Sequence, residues 1–180
     1  HDLTARELKI MDFIISKIKP DDDEFITVKT SMYELTNVLN LKRSGTTYSD
    51  LAKNLDSLGT KRVVIYNDVE RSITQTSWVM QSKYWENGRV ELLLSKDLSP
   101  YLLGLKNNYT QYLLLDTVKL RSKYSILLYK LMRECDKDGS NSIAILQGTP
   151  DEFKEWLGAP ESYEYKDLKK NVLKKAIEEI

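Results

Sequence analysis

Hydrophobic positions follow a helical period at the start of the chain and a strand period soon after it. A first helix is predicted over about residues 4–18, because its apolar residues step by three or four: Leu8, Met11, Ile15 and Ile18. A short apolar run at residues 25–28 predicts a strand. Two further helices are predicted at about residues 31–40 and 47–58. Helix, strand, helix, helix is the opening order of a winged helix-turn-helix.

The same order occurs a second time in the chain. Its elements are predicted as a helix at about residues 120–135, a strand at 143–146 and helices at 149–157 and 165–180. Capping boxes at Ser31–Glu34 and Thr149–Glu152 lie 118 residues apart and mark matching helix starts. This repeat predicts two similar modules in tandem.

Strand patterns after the third helix predict the wing of the first module. Gly59 is expected to end that helix, and residues 62–66 and 72–84 are rich in β-branched and aromatic side chains. Asn87–Gly88 is a strong hairpin signal before a strand at residues 89–94. A short helix at 95–105 and an extended segment at 109–115 are expected to complete this module.

The predicted fold class is therefore α+β, with two tandem winged-helix modules. The expected domains are residues 1–115 and residues 116–180, and the second is expected to be truncated before its wing. Cys135 is placed on the inner side of its helix, and the last helix has an apolar face: Leu168, Val172, Leu173, Ala176 and Ile177. Lys169 falls inside that apolar arc and does not fit it.

Composition places the chain among ordinary globular proteins, with 41% hydrophobic and 30% charged residues. No apolar run approaches the roughly 20 residues that a membrane-spanning helix requires, so no membrane partner is expected. The single cysteine cannot form an internal disulfide, which favours a reducing, cytoplasmic location.

The net charge is zero, but its distribution is uneven. Residues 39–137 carry 16 basic and 10 acidic side chains, whereas the segments before and after each carry a net charge of −3. A basic centre between acidic flanks fits phosphate contact on one face, although a mixed solvated surface gives similar counts.

Enzymatic signatures are missing from the sequence. The only histidine is His1, and the chain contains neither of the glycine-rich phosphate motifs GxxxxGK[ST] and GxGxxG. The acidic run at residues 21–24 is better explained as a solvated loop than as a metal site. We therefore expect a protein without enzymatic activity, metal or cofactor.

Polar donors on the predicted helix-turn-helix elements suit contacts with DNA. In the first module these are the turn and helix-start residues Lys42, Arg43, Thr46, Thr47 and Tyr48, and the outer-face residues Lys53 and Asn54. Candidate phosphate contacts near the wing and at the junction are Lys61, Arg62, Lys83 and Lys123. The last helix offers Lys170, Asn171 and Lys174. For any single residue, a solvated surface position is the alternative.

Several words of the sequence resemble the iteron-binding plasmid replication initiators. They are LSPYLLGL at residues 98–105, YTQY at 109–112, SKYSILLY at 122–129 and the final segment 165–180. The resemblance implies two winged-helix modules that bind origin repeats, called iterons, in double-stranded DNA and start plasmid replication. By position it matches residues 46–54 to the first recognition helix, and Lys166, Lys170 and Lys174 to the second.

The same resemblance implies a monomer on iterons and a homodimer, paired through the first module, that represses its own gene. It also implies host partners, namely the host replication initiator and helicase. The alternative from the residues alone is a winged-helix transcriptional regulator without a replication role. A nicking replication enzyme is disfavoured, because it would require a histidine pair beside its tyrosine.

Overall fold

A computed structural model of the chain describes residues 3–18, 26–98, 100–102, 116–135 and 145–180. These residues form two compact units, one containing residues 6–118 and the other containing residues 119–180 with residues 3–5. Several predicted features lie outside the described residues: the acidic run 21–24, the extended segment 109–115 and the strand residues 143–144.

Helix α1 (Ala5–Lys17) belongs to the first unit from Arg6 onward. The predicted inward residues are all buried: Leu8, Met11, Ile15 and, directly after the helix, Ile18. The buried surface is wider than the predicted stripe, because Ile10, Phe13 and Ile14 are buried as well. Helix α1 is therefore central to the core of this unit.

Strand β1 (Ile26–Ser31) leads directly into helix α2 (Met32–Val38). The Ser31 side chain caps this helix by accepting the Glu34 N–H at 3.0 Å, as predicted. The reciprocal half of the predicted box is replaced, because the Glu34 carboxylate accepts the Thr30 hydroxyl at 2.9 Å and pairs with Lys17. Asn40 ends the helical segment with a φ of 54°.

Helix α3 (Gly45–Thr60) is longer than predicted at both ends. Its N-cap is Ser44, and Leu51, Leu55 and Leu58 are buried as expected. The prediction that Gly59 ends the helix is wrong, since Gly59 is helical. A Cβ at this position would lie 3.4 Å from the Val79 carbonyl oxygen, which is an ordinary van der Waals contact.

The described residues contain five strands, which form two separate sheets. Strand β1 pairs antiparallel with β5 (Arg89–Leu94), which pairs with β4 (Gln81–Tyr84). Strands β2 (Arg62–Asn67) and β3 (Ser72–Ser77) form a hairpin of their own. The predicted strand at 72–84 is thus two strands, and the buried Val79 lies between them.

The order β1–β5–β4 assigns the wing to the β4–β5 hairpin. Strand β5 buries Val90, Leu92 and Leu94, whose partners Thr30, Val28 and Ile26 on β1 are buried too. The predicted helix at 95–105 is represented by a 3₁₀ helix (Lys96–Leu98) and by helical residues 100–102; the rest lies outside the described residues.

The second unit contains three helices among its described residues: α4 (Lys123–Cys135), α5 (Pro150–Leu157) and α6 (residues 165–179). Its core consists of Leu128, Leu157, Leu168, Val172 and Ala176. Thr149 and Glu152 form the predicted capping box in full, with N–H to oxygen distances of 2.6 and 3.2 Å. Gly158 ends α5 with a φ of 60°, as predicted.

Two predictions for this unit are wrong. Cys135 is exposed rather than directed inward, because the helix ends there, beyond the described core. Residues 145–146 are not in a strand, and no strand that would pair with them occurs among the described residues of this unit.

Helix α6 departs from a regular α-helix. It is α-helical at Tyr165–Asp167, π-helical at Leu168–Leu173 and α-helical again at Lys174–Glu179. A π-turn holds more residues than an α-turn, so the faces are rotated from those of a regular helix. Lys169 is consequently exposed, which resolves its poor fit to the apolar arc. Ile177, predicted to be inward, is 64% exposed.

Candidate nucleic-acid interface

The turn between α2 and α3 presents cations beside a helix N-terminus. Lys42, Arg43 and Thr46 are exposed there. The Arg43 guanidinium lies 4.6 Å from the ring centroid of Tyr33 on α2, so a cation–π contact holds it at the edge of the turn. The first N–H groups of α3 have no acceptor within the helix. The turn can therefore bind an anionic oxygen through backbone and side-chain donors.

Thr47 and Tyr48 are less accessible to a DNA ligand than Thr46. The Ser44 hydroxyl oxygen accepts the Thr47 N–H at 3.1 Å and lies 3.0 Å from the Thr47 hydroxyl. Both Thr47 and Tyr48 are half-buried. These two predicted residues therefore shape the start of α3 more than they extend from it.

Farther along α3, Lys53 is exposed but Asn54 is not fully so. Asn54 is spaced three residues from Leu51 and four from Leu58, which places it at the margin of the inner face. Its Oδ1 atom is buried without a hydrogen-bond partner among the described residues. The prediction that Asn54 projects from the outer face of the helix is therefore incorrect, because its amide oxygen is buried.

The wing carries a cluster of aromatic and basic side chains around its turn. The backbone N–H of Trp85 donates to the Arg89 carbonyl at 3.0 Å, and Gly88 completes the turn with a φ of 87°. The Arg89 guanidinium lies 3.8 Å and the Lys83 Nζ 5.1 Å from the Trp85 ring centroid. The wing therefore presents two cations on one indole.

Only Lys83 of this cluster was among the predicted contacts. Arg89 directly follows the predicted Asn87–Gly88 turn, and Trp85 lies two residues before Asn87. Their positions on either side of a hairpin turn are the sequence signal that could have identified them.

Lys61 and Arg62 have different surroundings, although they are neighbours in sequence. The Lys61 Nζ lies 2.9 Å from a carboxylate oxygen of Glu7, whose side chain is 2% exposed. Lys61 is thus engaged within the unit. Arg62 is exposed, but it begins the separate β2–β3 hairpin rather than the wing.

Two lysines brace the helix-turn-helix of the second unit. The Lys123 Nζ donates to the Gly158 carbonyl at 2.9 Å, at the end of α5. Lys154 donates to the carbonyls of Glu161 and Tyr163 in the turn, at 3.1 and 3.2 Å. Cations beside the last carbonyls of a helix stabilise its C-terminus. The predicted DNA contact Lys123 is therefore placed as a support of the turn.

Exposed lysines cover helix α6 after that turn. Lys166, Lys170 and Lys174 are exposed, as are Lys169 and Lys175, which were not predicted contacts. Asn171 is half-buried. Lys166 and Lys174 make long, exposed ion pairs with Glu164 and Glu178, at 3.7 and 3.9 Å. Such pairs contribute little stability, so both lysines can turn toward a phosphate at low cost.

Two tyrosines near these surfaces stay neutral at physiological pH. Burial chiefly raises the pKa of Tyr84, with a smaller increase from Asp56 that a hydrogen bond with Ser82 opposes. Burial also chiefly raises the pKa of Tyr124, and the electrostatic interaction with Tyr163 raises it further. Both phenols therefore act as uncharged hydrogen-bonding groups.

Within the described part of the chain, no three His, Cys, Asp or Glu side chains are grouped so that they could hold a metal ion. None of the helices found there is both long enough and apolar enough to cross a membrane.

Comparison with known proteins gives matches over both units. Residues 1–133 match the family model described as "Initiator Replication protein, WH1". Residues 149–180 match the model described as "Initiator Rep protein, WH2". Among solved structures, the chain is similar to the WH1 domain of MSBI1.176, a replication protein isolated from a multiple sclerosis patient. That similarity has 20% identity and a TM-score of 0.45, and it covers 62% of this chain and 87% of the other.

Proposed function

The chain belongs to the initiator replication protein family, with a WH1 and a WH2 segment, and we propose that it binds origin iterons in double-stranded DNA to start plasmid replication. The observation that supports this most is the presence of two helix-turn-helix elements with exposed cations. In the first unit these cations border the turn before α3, and in the second they cover α6.

Two braced elements suit an extended binding site. Each second helix packs against the core of its unit, α3 through its buried leucines and α6 through Leu168, Val172 and Ala176. The wing adds Lys83 and Arg89 on Trp85 as a further contact in the first unit. In this proposal the cations on the helices and the wing supply phosphate contacts, and the helix-borne donors supply base contacts. The reaction requires no catalytic group of the chain itself.

Footprinting the protein on the origin of its plasmid tests this function. Protection of direct repeats, each about two DNA turns long, supports the initiator. Protection of a lone palindromic operator would favour the alternative, a regulator without a replication role. Binding through six or more phosphates also predicts an affinity loss of roughly a thousandfold between 50 and 200 mM salt. An affinity that is insensitive to salt would contradict DNA binding by these cations.

The proposal includes a homodimer, paired through the first module, that represses the protein's own gene. It is supported by the β2–β3 hairpin, where Tyr66 and Ile73 lie directly opposite each other and are 68% and 64% exposed. A two-stranded hairpin is marginally stable alone, and its open edges are templates for pairing. A second copy would cover this apolar surface.

Sedimentation of the Tyr66→Lys, Ile73→Lys double variant tests that dimer. A shift toward monomer is expected, whereas Ser49→Lys, at an exposed position on α3 outside the hairpin, should leave the dimer intact. Unchanged dimerisation of the double variant would contradict pairing through this surface. Opening of adjacent DNA with recruitment of the host initiator and helicase completes the proposed function, and a strand-opening assay on origin DNA with those two partners tests it.

A further inference from the structure

The carboxylate of Glu179, in the last turn of α6, is bound by the N-terminal turn of α4. It accepts the Arg121 N–H at 2.6 Å and the Ser122 N–H at 3.2 Å. It also accepts the hydroxyl of Ser125, a residue that is fully buried. One side chain of the last helix thus takes three donors from the start of another helix.

These contacts meet a need that α4 cannot meet alone. The first N–H groups of a helix have no acceptor within it, and the partial positive charge there favours an anion. Ser122 supplies one local acceptor, because its hydroxyl oxygen accepts the Tyr124 N–H at 3.1 Å. Glu179 accepts the Ser122 N–H and the N–H of the preceding Arg121. The cap of α4 is therefore shared between Ser122 and α6.

A related contact occurs independently in the first unit. Glu7, in the first turn of α1, accepts the Ser57 hydroxyl at 3.3 Å and pairs with Lys61, both at the end of α3. In each unit a glutamate joins the last turn of the second helix-turn-helix helix to the first turn of the unit's first helix. In the first unit the glutamate lies on the first helix, α1, whereas in the second unit it lies on the last helix, α6.

The apolar contacts of α6 do not by themselves fix its rotation. Its fully buried residues form one narrow row, Leu168, Val172 and Ala176, and apolar attraction has no direction. The π-helical segment makes rotation matter more, because it sets which lysines share a face. Hydrogen bonds are directional, so three of them at one end determine the angle and depth of the helix.

We infer that Glu179 is a positioning residue for DNA binding, which sets the orientation in which α6 presents its lysines. This inference rests on the proposed function, since α6 must contact DNA. Glu179 itself touches no DNA in this arrangement. It acts through the helix that it ties to Arg121, Ser122 and Ser125.

The test compares Glu179→Gln with Glu178→Gln, which removes the same charge from an exposed position in the same turn. Affinity and footprint are measured on a duplex that carries the origin repeat, at a temperature where circular dichroism shows each variant to be folded. Lys170→Ala with Lys174→Ala first defines the part of the site that α6 protects. Glu179→Gln should weaken binding about five- to tenfold, with protection lost only in that part. Glu178→Gln should bind at least as tightly as the wild-type protein, because it removes a carboxylate that pairs with Lys174.

Several outcomes would overturn the inference. One is an unchanged footprint and affinity for Glu179→Gln, and another is a uniform loss along the whole site, which indicates general destabilisation. If Glu179→Gln does not fold, Ser125→Ala keeps the carboxylate and removes one donor; it should give the same localised loss, and no loss would refute positioning. If instead the Lys170→Ala, Lys174→Ala double variant has no effect, α6 does not contact DNA and the proposed function of this helix fails. That result differs from a failure of the Glu179 inference alone, in which the double variant weakens binding and Glu179→Gln does not.

Discussion

The guanidinium of Arg89 lies over the indole of Trp85, 3.8 Å from its centroid, at the turn of the β4–β5 hairpin. The contact holds a charge that would otherwise move freely on a long side chain. The Lys83 Nζ approaches the same indole at 5.1 Å. The two cations are therefore preorganised, so they lose less conformational freedom when they meet a phosphate.

Arg89→Ala should weaken DNA binding and reduce the dependence of log affinity on log salt by about one unit per lost phosphate contact. Trp85→Leu should have a smaller effect in the same direction, because it releases Arg89 without removing its charge. A salt titration of affinity on the origin repeat measures both. Arg71→Ala is the control, since Arg71 is an exposed cation at the turn of the other hairpin. An equal effect of Arg71→Ala would argue against a specific role of the wing.

Lys170→Ala and Lys174→Ala should each weaken binding, by about 1–3 kcal/mol where the side chain contacts a base and less where it contacts a phosphate. The difference lies in specificity, because loss of a phosphate contact weakens all DNA sequences equally. Competition between the origin repeat and unrelated DNA separates the two cases. Glu155→Ala, an exposed change on α5, is the control. If the double lysine variant bound normally, α6 would not enter a groove.

Local patterns in the sequence were sufficient to predict the helices and their caps. The spacing of Leu8, Met11 and Ile15 gave the inner face of α1, and Thr149 with Glu152 gave the start of α5, because both signals depend on residues within two turns. The Asn87–Gly88 turn located the wing for the same reason. Two serines of the family word at residues 122–129 have structural roles, since the Ser122 hydroxyl accepts the Tyr124 N–H and the Ser125 hydroxyl donates to Glu179.

Contacts between distant residues could not be predicted in this way. Lys61 and Lys123 were predicted to contact phosphates because they are cations near the wing and the junction. Their actual partners, Glu7 and Gly158, are 54 and 35 residues away in the sequence. The π-helical segment of α6 was also hidden, because a regular helical projection assumes a constant angle per residue. Lys169 was the one sign of it, as a charge in an arc that otherwise was apolar.

Lys61→Met should lower the free energy of unfolding of the first unit by about 1–3 kcal/mol, because it removes the ammonium group that pairs with the buried Glu7 carboxylate. The Lys61 side chain is itself 25% exposed, so water screens part of the loss. Urea unfolding followed by circular dichroism measures the change. Arg62→Met, at the exposed neighbouring position, should change stability by less than about 0.5 kcal/mol. Similar losses for both variants would show that the Glu7–Lys61 pair makes no specific contribution to the free energy of unfolding.

The contact of Glu179 should make stability depend on pH in the acidic range. Burial raises the pKa of Glu179, but the hydrogen bonds from Ser125, Arg121 and Ser122 and the charge of Arg121 together outweigh it, so the pKa lies below its ordinary value of 4.5. A carboxyl with a lowered pKa in the folded state stabilises fully above 4.5, and the contribution is lost as the pH falls through the lowered pKa. The melting temperature of Glu179→Gln should therefore lie below that of the wild-type protein at pH 7, and the two should converge as the pH falls below 4.5. Glu178→Gln should follow the wild-type curve throughout, because its carboxylate pairs only loosely with Lys174. A gap between Glu179→Gln and wild type that stayed constant down to pH 3 would mean that the charge of Glu179 does not stabilise the end of α6.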